Sequence, residues 1–467
     1  MTKRFDLIIV GAGPGGYEAA IRARQLKLKT AVVERGQLGG VCLNVGCIPT
    51  KALLKSAEHY HFLKNEAASM GFKFNNLEVN FAKIIKKSRV TAKKLSKGVE
   101  YLFRKREVVR VVGTARFITK DRLEVIDNDG NKIDELISPN IIIATGCRPR
   151  EIPGMGFDHQ RIIDSTDAMT LKEIPSSMAI IGAGAIGVEF GHLYHTFGAK
   201  VTIVEMLDSI LPIEDNDVSR ELERIFKRRK MSILTGTQVN RIKNVGDSVE
   251  VTVETPEGDR LIVADVALVA VGVQPNTENI GLEDIGVTLD RGYINVDHEY
   301  MTNVPGVYAV GDVNGPPWLA HVASREGINC VERIAGLNPQ DIDYQSIPGC
   351  TYCQPQVASV GLTEVKANEA GYKLNIGRFP IRANGKSVAT NKTDGFVKVI
   401  FDKFGDRKLL GAHIISSDAT EIIAELGMAK GLGATARSIL QVTHAHPTQA
   451  EAIKEAVADA LGEAINF

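Results

Sequence analysis

The chain has 467 residues and a mass of 50.7 kDa, enough for about three domains. Its 56 basic and 56 acidic side chains give zero formal charge, which argues against a nucleic-acid-binding protein, since those carry a basic excess. No apolar run approaches the roughly 20 residues of a membrane helix. The short apolar run Phe5–Val10 does not fit a secretory signal, and no transit segment is recognisable. We therefore expect a cytoplasmic protein, with a processed protein of an organellar matrix as the alternative.

The chain contains one pattern twice. A buried-strand run meets a G-x-G-x-x-G turn over Phe5–Gly16 and again over Met178–Gly187. An amphipathic helix follows each turn, and a second apolar strand then ends in an acid, Glu34 or Glu205. The helices are predicted over 17–26 and 188–197. Because the first glycine precedes the acid by 23 residues in both copies, the sequence predicts two dinucleotide-binding βαβ units of equal dimensions.

The glycines and the acid have separate roles in such a unit. The first glycine permits a tight turn, the second lets the backbone approach a pyrophosphate, and the third allows close helix–strand packing. The helix N-terminus offers N–H groups to the phosphates, and the acid accepts hydrogen bonds from ribose hydroxyls. The candidate nucleotide-binding residues are Gly11, Gly13, Gly16 and Glu34 in the first unit, and Gly182, Gly184, Gly187 and Glu205 in the second.

The second acid also indicates which nicotinamide nucleotide is bound. Sites for NADP usually place an arginine near the 2′-phosphate, whereas a glutamate repels that phosphate. No basic residue occurs from Met206 to Asp217, directly after Glu205. The sequence therefore favours NAD⁺ over NADP⁺.

Further apolar strands complete these units, and the pattern changes near residue 347. Strands end at Thr145-Gly146, at Gly272 and at Gly311-Asp312. Alternating strands such as Phe396–Phe401 follow, with helices around 420–430 and 449–461. The predicted fold class is α/β, with two Rossmann-like dinucleotide-binding domains and a C-terminal α+β domain. The predicted domains are residues 1–148 and 149–276 for the two nucleotides, 277–346 as a central domain, and 347–467 at the C-terminus.

Two of the six cysteines, Cys42 and Cys47, lie close together after the first acid. Cys-x4-Cys is not a common zinc spacing, and no second Cys/His pair with zinc-like spacing accompanies it, so we expect no metal site. A structural disulfide closing so short a loop would stabilise the fold little. A dithiol that exchanges electrons with a nearby cofactor explains the position better. Pro49 suits a helix N-terminus, where the helix dipole would favour a Cys47 thiolate.

The string Gly39–Lys51 (GGVCLNVGCIPTK), together with the two nucleotide units, resembles the FAD-dependent pyridine nucleotide-disulfide oxidoreductases, in particular the dihydrolipoamide dehydrogenases. The resemblance covers Phe5 to Ile465. It implies that the first unit binds one non-covalent FAD, that the second binds NAD⁺, that 277–346 completes the FAD site, and that 347–467 is a dimerisation domain. The redox roles it implies are Cys42 as the thiol that reacts with substrate, Cys47 as the thiol against the flavin, Lys51 beside the reactive flavin nitrogen, and Glu189 as the ion-pair partner of Lys51. The further contacts it implies are Thr145, Gly146, Asp312 and Ala320 with FAD, and Gly272 with NAD⁺.

Near the C-terminus, His446-Pro447 with Glu451 five residues after the histidine matches the catalytic pair of that family. A dithiol reacts as thiolate, and imidazole, whose ordinary pKa lies near neutrality, suits the task of removing its proton. Glu451 would orient the ring and stabilise its charged form. By resemblance, this histidine reaches the disulfide of the other subunit, which implies a homodimer.

The implied activity is oxidation of protein-bound dihydrolipoamide to lipoamide with reduction of NAD⁺. The implied partners are lipoyl domains and the acyltransferase core of a 2-oxoacid dehydrogenase complex, or the lipoyl protein of glycine cleavage, or both. Two alternatives stay open: an NAD-linked reductase of another disulfide, and a flavoprotein with mainly an interaction role. We expect Cys350 and Cys353 to be inert thiols, with a labile second redox site as the alternative. We expect the basic stretch 83–106 to be a solvated helix face, with an acidic partner as the alternative.

Overall fold

The structure is a computed structural model that describes residues 2–404 and 407–466. The chain forms two compact units, each built from separate stretches of sequence. The first unit comprises the residues up to Leu53, Ala82–Arg150 and Gly272–Ile342. The second comprises Leu54–Phe81, Glu151–Val271 and the residues from Asp343 onward. The division into four domains stays a prediction.

A five-stranded parallel sheet forms the centre of the first unit. Its inner strands are mostly apolar because both of their faces are buried; all four residues of Leu7–Val10 are in the core. In spatial order the strands are Val307–Ala309, Ile141–Ile143, Leu7–Val10, Thr30–Glu34 and Val109–Val112. The smaller strands of the unit form a sheet of Lys3–Arg4, Lys132–Ile137, Arg122–Ile126 and Thr114–Thr119, and the pairs Cys147–Pro149 with Val273–Pro275 and Leu289–Asp290 with Tyr293–Ile294.

The helices of the first unit include two that pack closely on each other. They are Pro14–Gln25, Gly40–Val45, Cys47–Asn65 (which continues into the second unit), Phe81–Arg106, the 3₁₀ turn Gly311–Asn314, and Ala320–Ile334. Helix Pro14–Gln25 packs closely on Ala320–Ile334: a Cβ on Gly327 would lie 2.4 Å from the Gly15 carbonyl oxygen. Glycine at both positions thus lets the two backbones approach.

The second unit contains its own parallel sheet. In spatial order its strands are Ile162–Ile163, Val266–Val269, Ser177–Ile181, Lys200–Val204 and Ser232–Leu234. An antiparallel sheet of Gln238–Asn244, Val249–Thr255 and Gly258–Ala264 lies in the same unit, with helices Ser165–Ala168, Ala185–Thr196 and Asn216–Arg228. Helix Ala185–Thr196, like Pro14–Gln25, begins three residues earlier than predicted, because the last x-x-G of each glycine loop is already its first turn.

The C-terminal part of the second unit is an antiparallel sheet covered by helices. In spatial order its strands are Gly349–Thr351, Gln356–Gly361, Leu409–Ser416, Phe396–Asp402 and Leu374–Pro380. Its helices are Glu364–Glu369, Gly385–Ala389, Ala419–Gly431, Ala436–Leu440 and Glu451–Ala460, with 3₁₀ turns at Tyr344–Ser346 and Ile381–Ala383. Buried apolar side chains of the sheet and of helices Ala419–Gly431 and Glu451–Ala460 share one core. The predicted α/β class and the α+β C-terminal part are confirmed.

Within the described residues, no helix combines the length and the apolar character that a bilayer crossing requires.

Candidate active site

The two close cysteines stand on consecutive helices. Cys42 lies in helix Gly40–Val45, and Cys47 is the first residue of helix Cys47–Asn65, after a break at Gly46. Both are thiols, and their side chains are hydrogen-bonded to each other. The hydrogen bond with Cys47, burial and the nearby Cys47 charge raise the pKa of the Cys42 thiol, while the Lys51 cation opposes them. The structure thus brings the predicted pair into contact beside a lysine.

Glycine is required where the redox segment meets the nucleotide loop. Gly39 and Gly40 have φ values of +99° and +57°, and a Cβ on Gly40 would lie 2.6 Å from the Gly13 Cα. The Gly39 amide donates to the Ala12 carbonyl oxygen over 2.8 Å. The Gly-Gly pair therefore holds the Cys42 helix directly against the first glycine loop.

The first nucleotide site has the predicted geometry. Glu34 accepts hydrogen bonds from the Ala12 amide at 2.8 Å and from the Gly36 amide at 2.7 Å. A Cβ on Gly11 would lie 2.3 Å from the Ala144 carbonyl oxygen, and one on Gly16 would lie 2.0 Å from the Gly11 carbonyl oxygen. A cavity of about 420 Å³ opens beside this loop, and among the residues that line it are Gly11, Val33, Arg35, Thr145 and Arg148. The loop, the acid and the cavity fit the adenosine diphosphate part of a dinucleotide.

The second nucleotide site repeats that geometry. Glu205 accepts from the Ala183 amide at 2.7 Å and from the Leu207 amide at 2.9 Å. A Cβ on Gly182 would lie 2.5 Å from the Ala270 carbonyl oxygen, and one on Gly187 would lie 2.0 Å from the Gly182 carbonyl oxygen. A Cβ on Gly184 would have no other atom within 4 Å, so a ligand can approach the backbone at this position. The arrangement fits a second dinucleotide.

Two predicted FAD residues lie at strand ends of the first unit. Thr145 donates its hydroxyl to the Asn276 carbonyl oxygen over 2.7 Å, and Gly146 has a φ of +65°. Gly272, which we predicted to contact NAD⁺, belongs to the same unit, has a φ of +104°, and accepts from the Arg150 amide. The hydroxyl of Thr145 is thus used to hold the backbone at these strand ends.

Asp312 lies in the 3₁₀ turn before helix Ala320–Ile334, and Ala320 is the first residue of that helix. Burial and the neighbouring Glu326 charge raise the pKa of Asp312 to about 6, while a backbone hydrogen bond opposes the rise. Glu326, which the sequence analysis missed, accepts from the Gly311 amide at 2.7 Å and from the Asn314 side-chain amide at 3.2 Å. No motif or spacing in the sequence marks Glu326.

The C-terminal histidine and glutamate form the predicted pair. His446 Nδ1 lies 2.9 Å from Glu451 Oε1, and the other oxygen of Glu451 accepts from the Thr448 amide at 2.8 Å. Burial raises the pKa of Glu451, but the hydrogen bonds from Thr448 and His446 and the charges of His446 and His444 outweigh it, so the pKa lies below its ordinary value. The side chain of His446 is 78% exposed. Because Nδ1 faces a carboxylate, Nε2 is the nitrogen that can accept a proton.

Lys51 and Glu189 belong to different units, and their pairing stays a prediction. Lys51 lies one turn after Cys47 on the same helix, and its charge acts on Cys42. Glu189 is buried in helix Ala185–Thr196, where its Oε1 accepts from the Tyr352 amide at 2.9 Å. No sequence pattern predicts this contact, because Tyr352 lies 163 residues after Glu189.

Several other groups do not add to this site. Cys353 is buried and donates to the Pro355 carbonyl oxygen, and Cys350 is a half-buried thiol in strand Gly349–Thr351. Ligand atoms of His159, Asp164 and Asp167 lie within 4.8 Å of one another, but they already form a helix capping box and an ion pair. The basic stretch 83–106 lies on helix Phe81–Arg106, beside a cavity of about 670 Å³.

Comparisons with known proteins agree with this geometry. Residues 5–327 match the family model for pyridine nucleotide-disulphide oxidoreductases, and residues 347–457 match the model for the dimerisation domain of those enzymes. The chain is 45% identical to a dihydrolipoyl dehydrogenase of Zymomonas mobilis and 41% identical to one of Bacillus subtilis, with full coverage of both chains in each case. It is 42% identical to the mitochondrial dihydrolipoyl dehydrogenase 1 of Arabidopsis thaliana, over 97% of this chain and 89% of that protein.

Solved structures give the same result. The chain is similar to LpdA of Mycobacterium tuberculosis, with a TM-score of 0.90 and 26% identity over 97% of this chain and 99% of that one. It is also similar to the HOCl-induced flavoprotein disulfide reductase RclA of Escherichia coli, with a TM-score of 0.86 and 26% identity over 97% of this chain and 99% of that one. The chain belongs to the pyridine nucleotide-disulphide oxidoreductase family and groups within it with the dihydrolipoyl dehydrogenases.

Proposed function

We propose that this chain is an FAD-dependent dihydrolipoyl dehydrogenase, which oxidises protein-bound dihydrolipoamide to lipoamide and reduces NAD⁺ to NADH. The observation that carries the proposal is the contact between Cys42 and Cys47 on a segment held directly against the first glycine loop. Full-length relatives above 40% identity bear the same activity in their names. They disfavour both a different disulfide substrate and a mainly interacting flavoprotein.

The two nucleotide sites take different cofactors in this proposal. Gly11, Gly13, Gly16 and Glu34 hold FAD, with Thr145, Gly146, Asp312 and Ala320 as the further contacts and Lys51 beside the flavin. Gly182, Gly184, Gly187, Glu205 and Gly272 hold NAD⁺. Glu205 accounts for NAD⁺ over NADP⁺, because its carboxylate would repel a 2′-phosphate. When bound, FAD supplies the two-electron relay between the cysteine pair and the nicotinamide.

The protein's own side chains carry out the dithiol half of the reaction. His446 Nε2 takes a proton from one substrate thiol, and the resulting thiolate attacks Cys42 Sγ of the oxidised pair. The Cys42–Cys47 bond breaks, and Cys47 leaves as a thiolate. The second substrate thiol attacks the first substrate sulfur, and its proton passes to Cys42 Sγ as that sulfur leaves. The lipoamide ring closes, Cys42 is released, and the electron pair stays on the two cysteines.

Two charged side chains stabilise the intermediates of that sequence. The Lys51 cation opposes the rise in the pKa of Cys42 that the hydrogen bond with Cys47 and burial cause, and its charge stabilises a thiolate at the pair. Glu451 holds Nδ1 of His446 and favours the imidazolium that forms when Nε2 takes the proton. The proposal further includes Glu189 as the partner that orients Lys51.

The assembly in this proposal is a homodimer. The matched dimerisation segment 347–457 contains both His446 and Glu451. We place His446 of one subunit at the cysteine pair of the other, so neither subunit is active alone. The proposed partners are lipoyl domains and the acyltransferase core of a 2-oxoacid dehydrogenase complex, or the lipoyl protein of glycine cleavage. The proposed location is the cytoplasm, with an organellar matrix as the alternative, since some relatives are named as mitochondrial.

The test is a direct assay of the purified protein. Dihydrolipoamide and NAD⁺ are mixed with the flavin-loaded protein, and NADH formation is followed at 340 nm, with NADP⁺ as the control. We expect turnover with NAD⁺ and at most slight turnover with NADP⁺. Absence of turnover in a flavin-loaded dimer would exclude dihydrolipoamide as the substrate.

A further inference from the structure

His444 lies two residues before His446, in a different environment. The side chain of His444 is 5% exposed, whereas that of His446 is 78% exposed. His444 Nε2 lies 2.7 Å from Glu425 Oε1, and its Nδ1 lies 3.2 Å from the Val442 carbonyl oxygen. Both ring nitrogens of His444 therefore face oxygen atoms, which hold the ring in one orientation.

The segment that carries both histidines contains no helix or strand of its own. Residues 443–450 connect the region after helix Ala436–Leu440 to helix Glu451–Ala460. The His444–Glu425 contact ties this segment to helix Ala419–Gly431, and the His446–Glu451 contact ties it to the helix that follows. Thr448 adds a local bond from its hydroxyl to the Ala445 carbonyl oxygen at 2.8 Å. Two histidine–glutamate pairs therefore hold this segment, one to each of the two helices.

We propose that the buried Glu425–His444 pair is a positioning device for His446: it fixes the segment that carries the base. His444 and Glu425 touch no substrate in this account; they act through His446. The inference rests on the proposed function, because it concerns how His446 takes the thiol proton.

Three substitutions test this anchor. His444→Ala removes it. His444→Gln keeps an N–H donor toward Glu425. Glu425→Gln keeps the size of the side chain and removes the charge of its carboxylate. The control is His159→Gln, which breaks an exposed histidine–aspartate pair, His159 Nδ1 to Asp167 Oδ2 at 2.8 Å, far along the chain from the candidate base.

For each variant, kcat and KM for dihydrolipoamide are measured across pH 5.5–9, together with NADH oxidation by an artificial electron acceptor, which needs no base at the dithiol. We expect His444→Ala to lower kcat for the dithiol about 10- to 100-fold, the range that misplacing a reacting group produces. KM for NAD⁺ and the acceptor reaction should stay within about twofold. Glu425→Gln should lower the dithiol kcat in the same selective way, and His159→Gln should match the parent.

His444→Gln distinguishes positioning from a merely structural role. It should recover part of the kcat lost in His444→Ala, because the anchor is restored. A dithiol kcat like the parent's in both His444 variants would overturn the inference, as would an equal loss of the dithiol and acceptor reactions, or a kcat in His444→Gln no higher than in His444→Ala. If the parent itself fails to oxidise dihydrolipoamide, it is the proposed function that fails.

Discussion

The two glycine-loop units hold their nucleotide sites in the same way. In each, the acid at the end of the second strand accepts two backbone N–H groups, one from the glycine loop and one two residues after the acid. In each, the third glycine packs against the carbonyl oxygen of the first so closely that a Cβ would lie 2.0 Å away. The spacing of 23 residues in the sequence thus fixes a common geometry.

The units differ in the segment that follows the acid. After Glu34 comes the Gly-Gly pair that presses the Cys42 helix against the glycine loop. After Glu205 the chain reaches two buried acids, Glu214 and Asp215. Asp215 caps helix Asn216–Arg228 and lies 2.8 Å from Lys398, a fully buried lysine in the C-terminal sheet. One segment therefore carries the proposed redox pair, and the other anchors the second unit internally.

The largest effect is expected from removing the substrate-reactive thiol of the first segment. Cys42→Ser should lower dihydrolipoamide oxidation at least about 10³-fold, because the attacked sulfur is gone. NADH oxidation by an artificial acceptor should persist, since it does not need the cysteine pair. Both activities are measured on the flavin-loaded protein, with Cys350→Ser as the control that should behave like the parent. Retained dithiol activity in Cys42→Ser would exclude Cys42 as the substrate-reactive thiol.

Alanine at the third glycine tests whether the two loops serve different nucleotides. The new Cβ in Gly16→Ala or Gly187→Ala must displace a backbone oxygen, which costs about 1–3 kcal/mol and distorts the loop. We expect Gly16→Ala to purify with little flavin, and Gly187→Ala to keep its flavin while KM for NAD⁺ rises more than about 10-fold.

Gly98→Ala is the matched control for these variants. It lies in open space on helix Phe81–Arg106, so it should be neutral or stabilise by about 1 kcal/mol. Flavin content is read from the absorbance ratio and KM from steady-state assays. Flavin loss in Gly187→Ala with full flavin in Gly16→Ala would reverse the assignment of the two sites.

A smaller effect is expected from the acid of the second unit. Glu205→Gln keeps the shape of the side chain but weakens charge-assisted hydrogen bonds, each worth about 1.5–3 kcal/mol. KM for NAD⁺ should rise about 10-fold, and the preference for NAD⁺ over NADP⁺ should narrow because the repulsion of the 2′-phosphate disappears. The ratio of kcat/KM for the two nucleotides is the measurement. An unchanged ratio would contradict the role given to Glu205.

The last prediction concerns stability rather than activity, in the anchoring segment of the second unit. Burial raises the pKa of Glu214 to about 7, a hydrogen bond from Ser359 opposes the rise, and the Asp215 charge adds to it. Because the folded state binds this proton more tightly than the unfolded state, stability falls as pH rises from about 4.5 to 7, by about 3 kcal/mol at most. Glu214→Gln removes the penalty, so it should match the parent near pH 5 and exceed it at pH 8.

Denaturant unfolding at a series of pH values from 5 to 8 measures this difference. The exposed Glu254→Gln is the control and should leave the slope of stability against pH as in the parent. A parent and a Glu214→Gln variant with parallel pH profiles would show that Glu214 is not protonated on folding.

Much of this architecture was predictable, because both nucleotide units depend on short-range patterns. The glycine loops, the apolar strands and the acids follow from spacing, and the resemblance around Cys42 and Cys47 named the redox pair. The helix starts were wrong by three residues, since the first helical turn lies inside the loop. Contacts between distant residues left no periodic signal. Three such contacts are visible only in the folded structure: Glu326 with Gly311, Glu425 with His444, and Lys398 with Asp215.

The central claim is that Cys42 and Cys47 cycle between dithiol and disulfide, with Cys42 open to substrate. The most direct measurement is alkylation with one equivalent of iodoacetamide, mapped by mass spectrometry on the flavin-loaded protein before and after reduction by NADH. We predict no label at either cysteine before reduction, and label at Cys42 afterwards with loss of dihydrolipoamide oxidation. Equal labelling with and without NADH, or label at Cys47 rather than Cys42, would contradict the account.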